Sequence, residues 1–339
     1  MRTGVIGASG YSGGELLRYL NEHPFLTLDM LAAGSNAGQR VGSLHPHLVS
    51  LKDRIFEPVS IERANSMELL FLALPHGESS KIVAQLDKSV RIVDLGADFR
   101  LTNAASWERY YGGDHAGTWV YGLPELRGQR DVISSSTRVA NPGCYATAIA
   151  LATAPVALAG IIDSSDITVV AASGTTGAGR SAKVSLLASE VMGGLTSYKF
   201  GGIHQHTPEI EEALERIASS RARISFTPIL APMSRGILAT VTAKTTAKDQ
   251  AELVELFHHY YKDEAFIEVL TDELPKTTSV IGSNRVQIAV ALDRHTSRWV
   301  ASVAIDNLGK GAAGQAVQNA NLMLGFEEGL ALASMGLGS

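Results

Sequence analysis

The chain of 339 residues contains one cysteine, Cys144, so no internal disulfide can form and the thiol must be explained by packing or by chemistry. It stands in Ala140-Asn141-Pro142-Gly143-Cys144-Tyr145-Ala146-Thr147, behind a Pro-Gly turn and at the head of a long apolar stretch that reads as a buried helix. A thiol there meets the positive end of the helix dipole, which favours the nucleophilic thiolate. Backbone N–H groups of the same turn can receive the oxyanion that forms when a thiolate attacks a carbonyl carbon. Taken alone, a cysteine is more often a small buried hydrophobe. Its place behind a turn, in a chain that also carries a dinucleotide-type loop, tips the reading to a nucleophile.

A nucleophilic cysteine needs a base or an imidazolium partner. His204-Gln205-His206-Thr207-Pro208-Glu209-Ile210 supplies two histidines just ahead of an expected helix over 208–219, with Thr207 as N-cap and Pro208 as its first residue. The H-x-H spacing also suits metal ligation, but no third ligand stands at a convincing spacing, and no metal is expected. Spacing does not separate the two roles, and one of the histidines can equally be a capping or packing residue. Ser173-Gly174-Thr175-Thr176-Gly177-Ala178-Gly179-Arg180 follows an apolar strand and offers hydroxyls and backbone donors to an anionic or amide-bearing substrate, a solvated linker being the competing reading. In Asp94-Leu95-Gly96-Ala97-Asp98-Phe99-Arg100, Arg100 can fork onto phosphate or carboxylate, or pair structurally with Asp98.

Gly7-Ala8-Ser9-Gly10-Tyr11-Ser12-Gly13 sits between a short apolar strand and a helix over 15–21 in which Leu16, Leu17 and Leu20 recur at helical spacing. Glycines permit the tight turn and the close approach of backbone to a pyrophosphate, whose charge the helix N-terminus attracts. The spacing is G-x-x-G-x-x-G, a departure from the commoner G-x-G-x-x-G. The second strand ends in Ala32-Ala33-Gly34-Ser35-Asn36 with no acidic residue for a ribose 2′-hydroxyl, and Arg40 follows, which favours NADP over NAD. Leu74, Pro75 and His76 come after a third strand, where the cofactor crevice is expected to run; for His76 a plain loop position is nearly as good an account.

These groups require a scaffold of strands ending on one side. Strands are readable at 26–32, 69–74 and 90–95 with a helix at 79–86, an order that fits a Rossmann-type doubly wound parallel sheet. Beyond Gly143 the strands lengthen, at 167–172, 224–230, 236–245, 286–292 and 299–307, separated by helices at 208–219 and 248–261, which suggests an α+β domain with a mixed sheet. A last helix over 313–324 is expected to return to the first domain. The expected division is 1–143 with 313–339 for the NADP-binding domain and 144–312 for the catalytic and oligomerisation domain. With 45% hydrophobic and 19% charged residues, a net charge of −5 and scattered cations, the composition points away from nucleic-acid and membrane-surface partners. A strand begins within three residues of Met1, so no signal peptide and a cytoplasmic protein are expected.

Taken together, Gly7 to Gly13, Ala97-Asp98-Phe99-Arg100-Leu101, Tyr121-Gly122-Leu123-Pro124-Glu125-Leu126, Ala140 to Thr147, Ser173 to Arg180 and His204 to Ile210 resemble the N-acetyl-gamma-glutamyl-phosphate reductases of arginine biosynthesis, in the aspartate-semialdehyde dehydrogenase-like group. The resemblance covers essentially the whole chain; Gly96 departs from it slightly, since the family often has another small residue there. It implies that Cys144 captures an acyl phosphate as a thioester, that the histidine pair holds the acid/base, with His204 favoured for that role and His206 for contacting substrate or phosphate, and that NADP(H) carries the hydride. It further implies cofactor contacts from Ser9, Gly10, Tyr11, Ser12, Leu74, Pro75, Ser173, Gly174 and Asn319, substrate contacts from Arg100, Asn141, Gly177 and Tyr198, and a homotetramer. The same chemistry on N-acetyl-aminoadipyl phosphate or aspartyl phosphate, and a non-catalytic NADP-binding regulator, are the alternatives.

Overall fold

The computed structural model describes residues 1–218 and 220–338. The chain divides into two units, Met1–Pro124 with Gly128–Pro142 and Ala312–Leu332, and Glu125–Arg127 with Gly143–Gly311 and the segment from Ala333. Its longer helices are α1 (Tyr11–Asn21), α2 (Cys144–Leu158), α3 (His206–Glu215), α4 (Gln250–Tyr261) and α5 (Gly314–Leu324).

In the first unit, β1 (Arg2–Ile6), β2 (Thr27–Ala32), β3 (Leu69–Leu72), β4 (Arg91–Asp94), β5 (Val120–Tyr121) and β6 (Arg138–Ala140) form one sheet in the order β2-β1-β3-β4-β6-β5, and every pairing is parallel. The strands read as unbroken apolar runs because both faces are covered. Alternate residues sort accordingly. Val5, Leu31, Leu69, Phe71 and Val93 pack with Leu16, Leu17 and Leu20 of α1 and with Ala316, Val317 and Ala320 of α5. Ile6, Met30, Leu70, Leu72 and Ile92 pack on the other face with Val83 and Leu86. Strand order reverses between β1 and β3, which opens a crevice at their carboxyl ends. β5 and β6, of two and three residues, are too short to leave a periodic signal and were not expected.

The second unit contains a mixed sheet of β7 (Ile167–Ser173), β8 (Thr196–Ser197), β9 (Ile224–Leu230), β10 (Ile237–Lys244), β11 (Ile267–Leu270), β12 (Val286–Asp293) and β13 (Arg298–Ile305) in the order β11-β12-β13-β10-β7-β9-β8. β7 pairs with β9 and β11 with β12 in parallel, the remaining pairs being antiparallel. β10 alternates buried and open positions along its length, as a strand with one covered face should. α2 is buried from Tyr145 through Ala157 and packs on β10, β13 and α3. Pro155 inside α2 leaves the Leu151 carbonyl without its helical donor, and the Tyr261 hydroxyl donates to that oxygen from α4.

Two expectations change. α3 begins at His206, not at Pro208, with Gln205 as the flanking residue in place of Thr207; proline has no N–H to lose in the first turn, so the helix can start ahead of it. The expected end of that helix, Ser219, lies outside the described residues. The tail was placed wholly with the first domain, but the segment from Ala333 belongs to the second unit. There Asn284 N–H donates to Ala333 O at 2.8 Å and Leu337 N–H to Ile281 O at 2.9 Å. Backbone contacts of that kind leave no mark in side-chain pattern. No helix among the described residues is long and apolar enough to cross a membrane.

Candidate active site

The glycine turn of the first unit is shaped by contacts that no larger residue would allow. Gly7 has φ +88°, and a Cβ there would lie 2.2 Å from Ala73 O; one on Gly13 would lie 2.3 Å from Gly7 O. The turn after β1 therefore touches the end of β3 at the topological switch. Gly7 and Ala8 both donate their N–H groups to Ala32 O, and Gly10 donates to Gly7 O, which fixes the turn from within. Gly10 is extended, no side chain caps the start of α1, and its first turn holds no acidic residue. An uncapped helix end beside a glycine cradle fits a pyrophosphate. Ser35 and Arg40 are exposed beyond β2, Arg40 lying 3.3 Å from Asp53, and Ser9 Oγ accepts from Asn36. Tyr11, Ser12 and Leu74 are half-buried, whereas Pro75 and His76 are exposed.

Behind β4, Asp94 is fully buried and accepts from Ser79 Oγ and Gly96 N, while Oδ2 has no hydrogen-bond partner. Burial pushes its carboxyl up to about 6. A Cβ on Gly96 would come within 3.0 Å of Asp94 Oδ1, so a glycine suits that neighbour. Asp98 accepts from Gly77 N at 2.6 Å and Ser80 N at 2.8 Å, holding the loop after β3. Arg100 is buried and donates Nε to Asn141 O and Nη2 to Leu95 O. Asn141 and Asn319 are fully buried and bonded to each other: Asn319 Nδ2 donates to Asn141 Oδ1 at 3.0 Å and to Gly122 O at 2.9 Å. In the first unit these three expected ligand contacts act as braces for the segment that runs into Pro142.

In the second unit Cys144 is the first residue of α2 and only part-buried, behind an extended Gly143 and with no side-chain cap. Gly143 N–H donates to Glu209 Oε1 at 2.7 Å, and Glu209, in the first turn of α3, is buried. That bond fixes the residue before Cys144, and the first N–H groups of α2 have no helical acceptor, an arrangement that suits an oxyanion. On the far side, a Cβ on Gly311 would lie 2.8 Å from Cys144 Cβ, so the cysteine leans on a glycine backbone. Neither Glu209 nor Gly311 was anticipated in this role. Glu209 lay in a recognised motif, but its distance of 66 residues from Gly143 hides the pairing.

His204 is buried, and its Nδ1 accepts the backbone N–H of His206 at 3.1 Å, so its one proton in the neutral form is on Nε2. Burial, with His206 and Lys199 adding, pushes it down to about 2. His206, half-buried, has its ring 4.9 Å from that of His204 and 6.1 Å from Tyr145. Tyr198 Oη donates to Tyr145 Oη at 3.0 Å; burial pushes Tyr198 up to about 12, with Cys144 contributing. Tyr145, Tyr198 and both histidines thus gather in one cluster of this unit, next in the chain to Cys144, whose charge acts on Tyr198.

The loop after β7 differs from its reading. Gly174, Thr175, Thr176, Gly177 and Gly179 donate their N–H groups to Gly236 O, Met233 O, Ser234 O, Gly174 O and Thr176 O. Three of these donors hold the loop against 233–236, and the other two close it on itself. Ser173 is buried and Gly177 exposed.

Residues 2–135 match the family model described as semialdehyde dehydrogenase, NAD binding domain, and residues 144–307 that of semialdehyde dehydrogenase, dimerisation domain. The N-acetyl-gamma-glutamyl-phosphate reductase of Acidothermus cellulolyticus is 52% identical over 99% of this chain and 98% of its own. That of Streptomyces coelicolor is 50% identical over 99% of both. Among solved structures, aspartate semialdehyde dehydrogenase II from Vibrio cholerae, complexed with ASA, aligns with a TM-score of 0.71 at 16% identity, covering 95% of this chain and 98% of its own. Aspartate semialdehyde dehydrogenase with NADP from Candida albicans gives 0.69 at 12% identity over 95% and 98%. At those identities the likeness is one of fold.

Proposed function

The chain belongs to the N-acetyl-gamma-glutamyl-phosphate reductase family, and from that premise we propose that it reduces N-acetyl-L-glutamyl 5-phosphate to N-acetyl-L-glutamate 5-semialdehyde through a thioester on Cys144. The observation that carries the mechanism is the seating of Cys144 at the uncapped start of a buried helix, with Glu209 fixing Gly143 and the histidine pair beside Tyr145.

The Cys144 thiolate attacks the acyl carbon while N–H groups at the start of α2 hold the oxyanion; the carbon–oxygen bond to phosphate breaks, and phosphate leaves with its electron pair. When bound, NADPH supplies the hydride that reduces the thioester. Gly7, Gly10, Gly13, Ser9, Tyr11 and Ser12 would hold its pyrophosphate, with Ser35 and Arg40 at the 2′-phosphate. Sulfur is expelled as the resulting thiohemiacetal collapses to the aldehyde.

His206 takes the thiol proton as the thiolate forms and returns it to sulfur at that collapse. This reverses the preference for His204, which spacing does not decide. With Nδ1 occupied by a backbone N–H and the ring buried, His204 stays neutral through the working range, so we assign it to orienting His206. The protein works in the cytoplasm as a homotetramer, for which the exposed Val184, Leu187, Met192, Leu195, Phe200 and Ile203 of the second unit supply apolar surface.

The test runs the reaction in reverse with N-acetylglutamate semialdehyde, phosphate and NADP, following NADPH absorbance. Phosphate-dependent NADPH formation that disappears in Cys144→Ala is expected. Turnover of aspartate semialdehyde instead would move the substrate and keep the chemistry.

A further inference from the structure

His45 is 1% exposed, lies outside every motif discussed so far, and is packed beneath the glycine turn of the first unit. Its Nε2 is 3.0 Å from Ala8 O. A carbonyl only accepts, so Nε2 carries the proton and the imidazole donates. Room for the ring comes from Gly14: a Cβ at that position would lie 2.3 Å from His45 Cε1 and 2.5 Å from Nδ1. Glycine is a poor residue for a helix, and Gly14 stands inside α1, so the imidazole supplies a physical reason for it. The backbone of His45 is held in its own segment, with His45 N–H donating to Val41 O at 2.8 Å and Leu48 N–H to His45 O at 3.0 Å.

The Ala8 carbonyl belongs to the Ala8–Ser9 peptide, which is trans. In a trans peptide the C=O and N–H bonds point in opposite directions. Holding Ala8 O against the imidazole therefore turns Ser9 N–H away from it, toward the open side of the turn. Among the described residues that N–H has no partner within the chain, whereas Gly7 and Ala8 donate theirs to Ala32 O and Gly10 to Gly7 O. We propose that His45 is a positioning residue for the cofactor, which fixes the Ala8–Ser9 peptide so that Ser9 N–H is presented to the pyrophosphate of a bound nicotinamide dinucleotide. The proposal rests on the reading of this turn as the dinucleotide site.

Its test is NADPH affinity by fluorescence titration, with no turnover required. His45→Ala should raise the NADPH Kd about tenfold, the effect of one ordinary hydrogen bond. His45→Gln, whose Nε2 can reach the same carbonyl, should recover most of the loss. Gly14→Ala keeps the imidazole but displaces it, should mimic His45→Ala, and serves where that variant does not fold. Adenosine 2′-monophosphate, which has the 2′-phosphate and no pyrophosphate, should bind wild type and variants alike. An unchanged NADPH Kd in both His45→Ala and Gly14→Ala, or an equal loss of adenosine 2′-monophosphate, overturns the role of His45. Failure of the wild-type protein to bind NADPH would instead remove the dinucleotide reading beneath it.

Discussion

α1 and α2 both start behind an extended glycine, Gly10 at φ −74° and ψ 174° and Gly143 at φ −71° and ψ 149°, and neither start is capped by a side chain. Each leaves backbone donors for a negative charge. The surroundings then diverge. α1 carries glycines at 13 and 14 in its first turn, which leave room for the backbone of Gly7 and Ala8 and for the His45 ring, so that the turn can fold tightly onto the helix start. α2 opens on Cys144, is buried on all sides from Tyr145 onward, and is fixed by Glu209 at Gly143 and by Gly311 at the cysteine. A binding terminus needs several donors within reach, whereas a catalytic terminus needs one reactive atom that does not move while charge appears and vanishes.

Substitutions at the two starts should therefore separate turnover from binding. Cys144→Ser is expected to reduce turnover at least about a thousandfold with NADPH Kd unchanged in a fluorescence titration; a matching loss of NADPH affinity would mean that the two starts are not independent. His206→Asn should cut kcat by roughly a hundredfold to ten-thousandfold and remove a limb of the pH profile, while His204→Gln keeps that limb. The reverse pattern would return the acid/base role to His204. Gly13→Ala, whose added carbon meets Gly7 O at 2.3 Å, should weaken NADPH by about two orders of magnitude. In single-turnover experiments it should still release phosphate on acylation of Cys144.

The smallest expected effect concerns pH. His204 titrates at about 2 when folded and near 6.5 when unfolded, so between these values the unfolded chain binds more protons and stability falls as pH falls. From pH 6.5 to 5 the loss should be about 2 kcal/mol, read from urea midpoints. Asp94 acts in the opposite sense: its folded value of about 6 exceeds the 3.8 of an ordinary aspartate, so the folded chain holds the extra proton in that window. Subtracting the His204→Gln profile from wild type removes that shared term, and a difference that does not change with pH would show that His204 is not the buried neutral group described.

Much of this was legible in advance where the signal is local. The glycine turn, the cysteine behind Pro142-Gly143 and the histidine pair each lie within a few residues of chain, and strands buried on both faces announce themselves as apolar runs. The loop after β7 has a composition that suits an anion site and a braced loop equally well, and only its hydrogen bonds show that five of its backbone N–H groups are used within the chain. Pro155 gave no warning that Tyr261, 106 positions later, would donate to the carbonyl that proline leaves open.

The sequence by itself determined the classes of chemistry: one thiol able to act as nucleophile, two imidazoles, a turn only glycine can make, and strand and helix periods that demand an α/β frame. Only the tertiary structure decided how these groups are conditioned. That His204 is sealed and neutral, that Glu209 steadies Gly143, and that His45 lies beneath Ala8 O are consequences of burial and of hydrogen bonds between distant positions. Desolvation and hydrogen-bond direction depend on which atoms surround a group in space, and residue spacing along a chain does not carry that information.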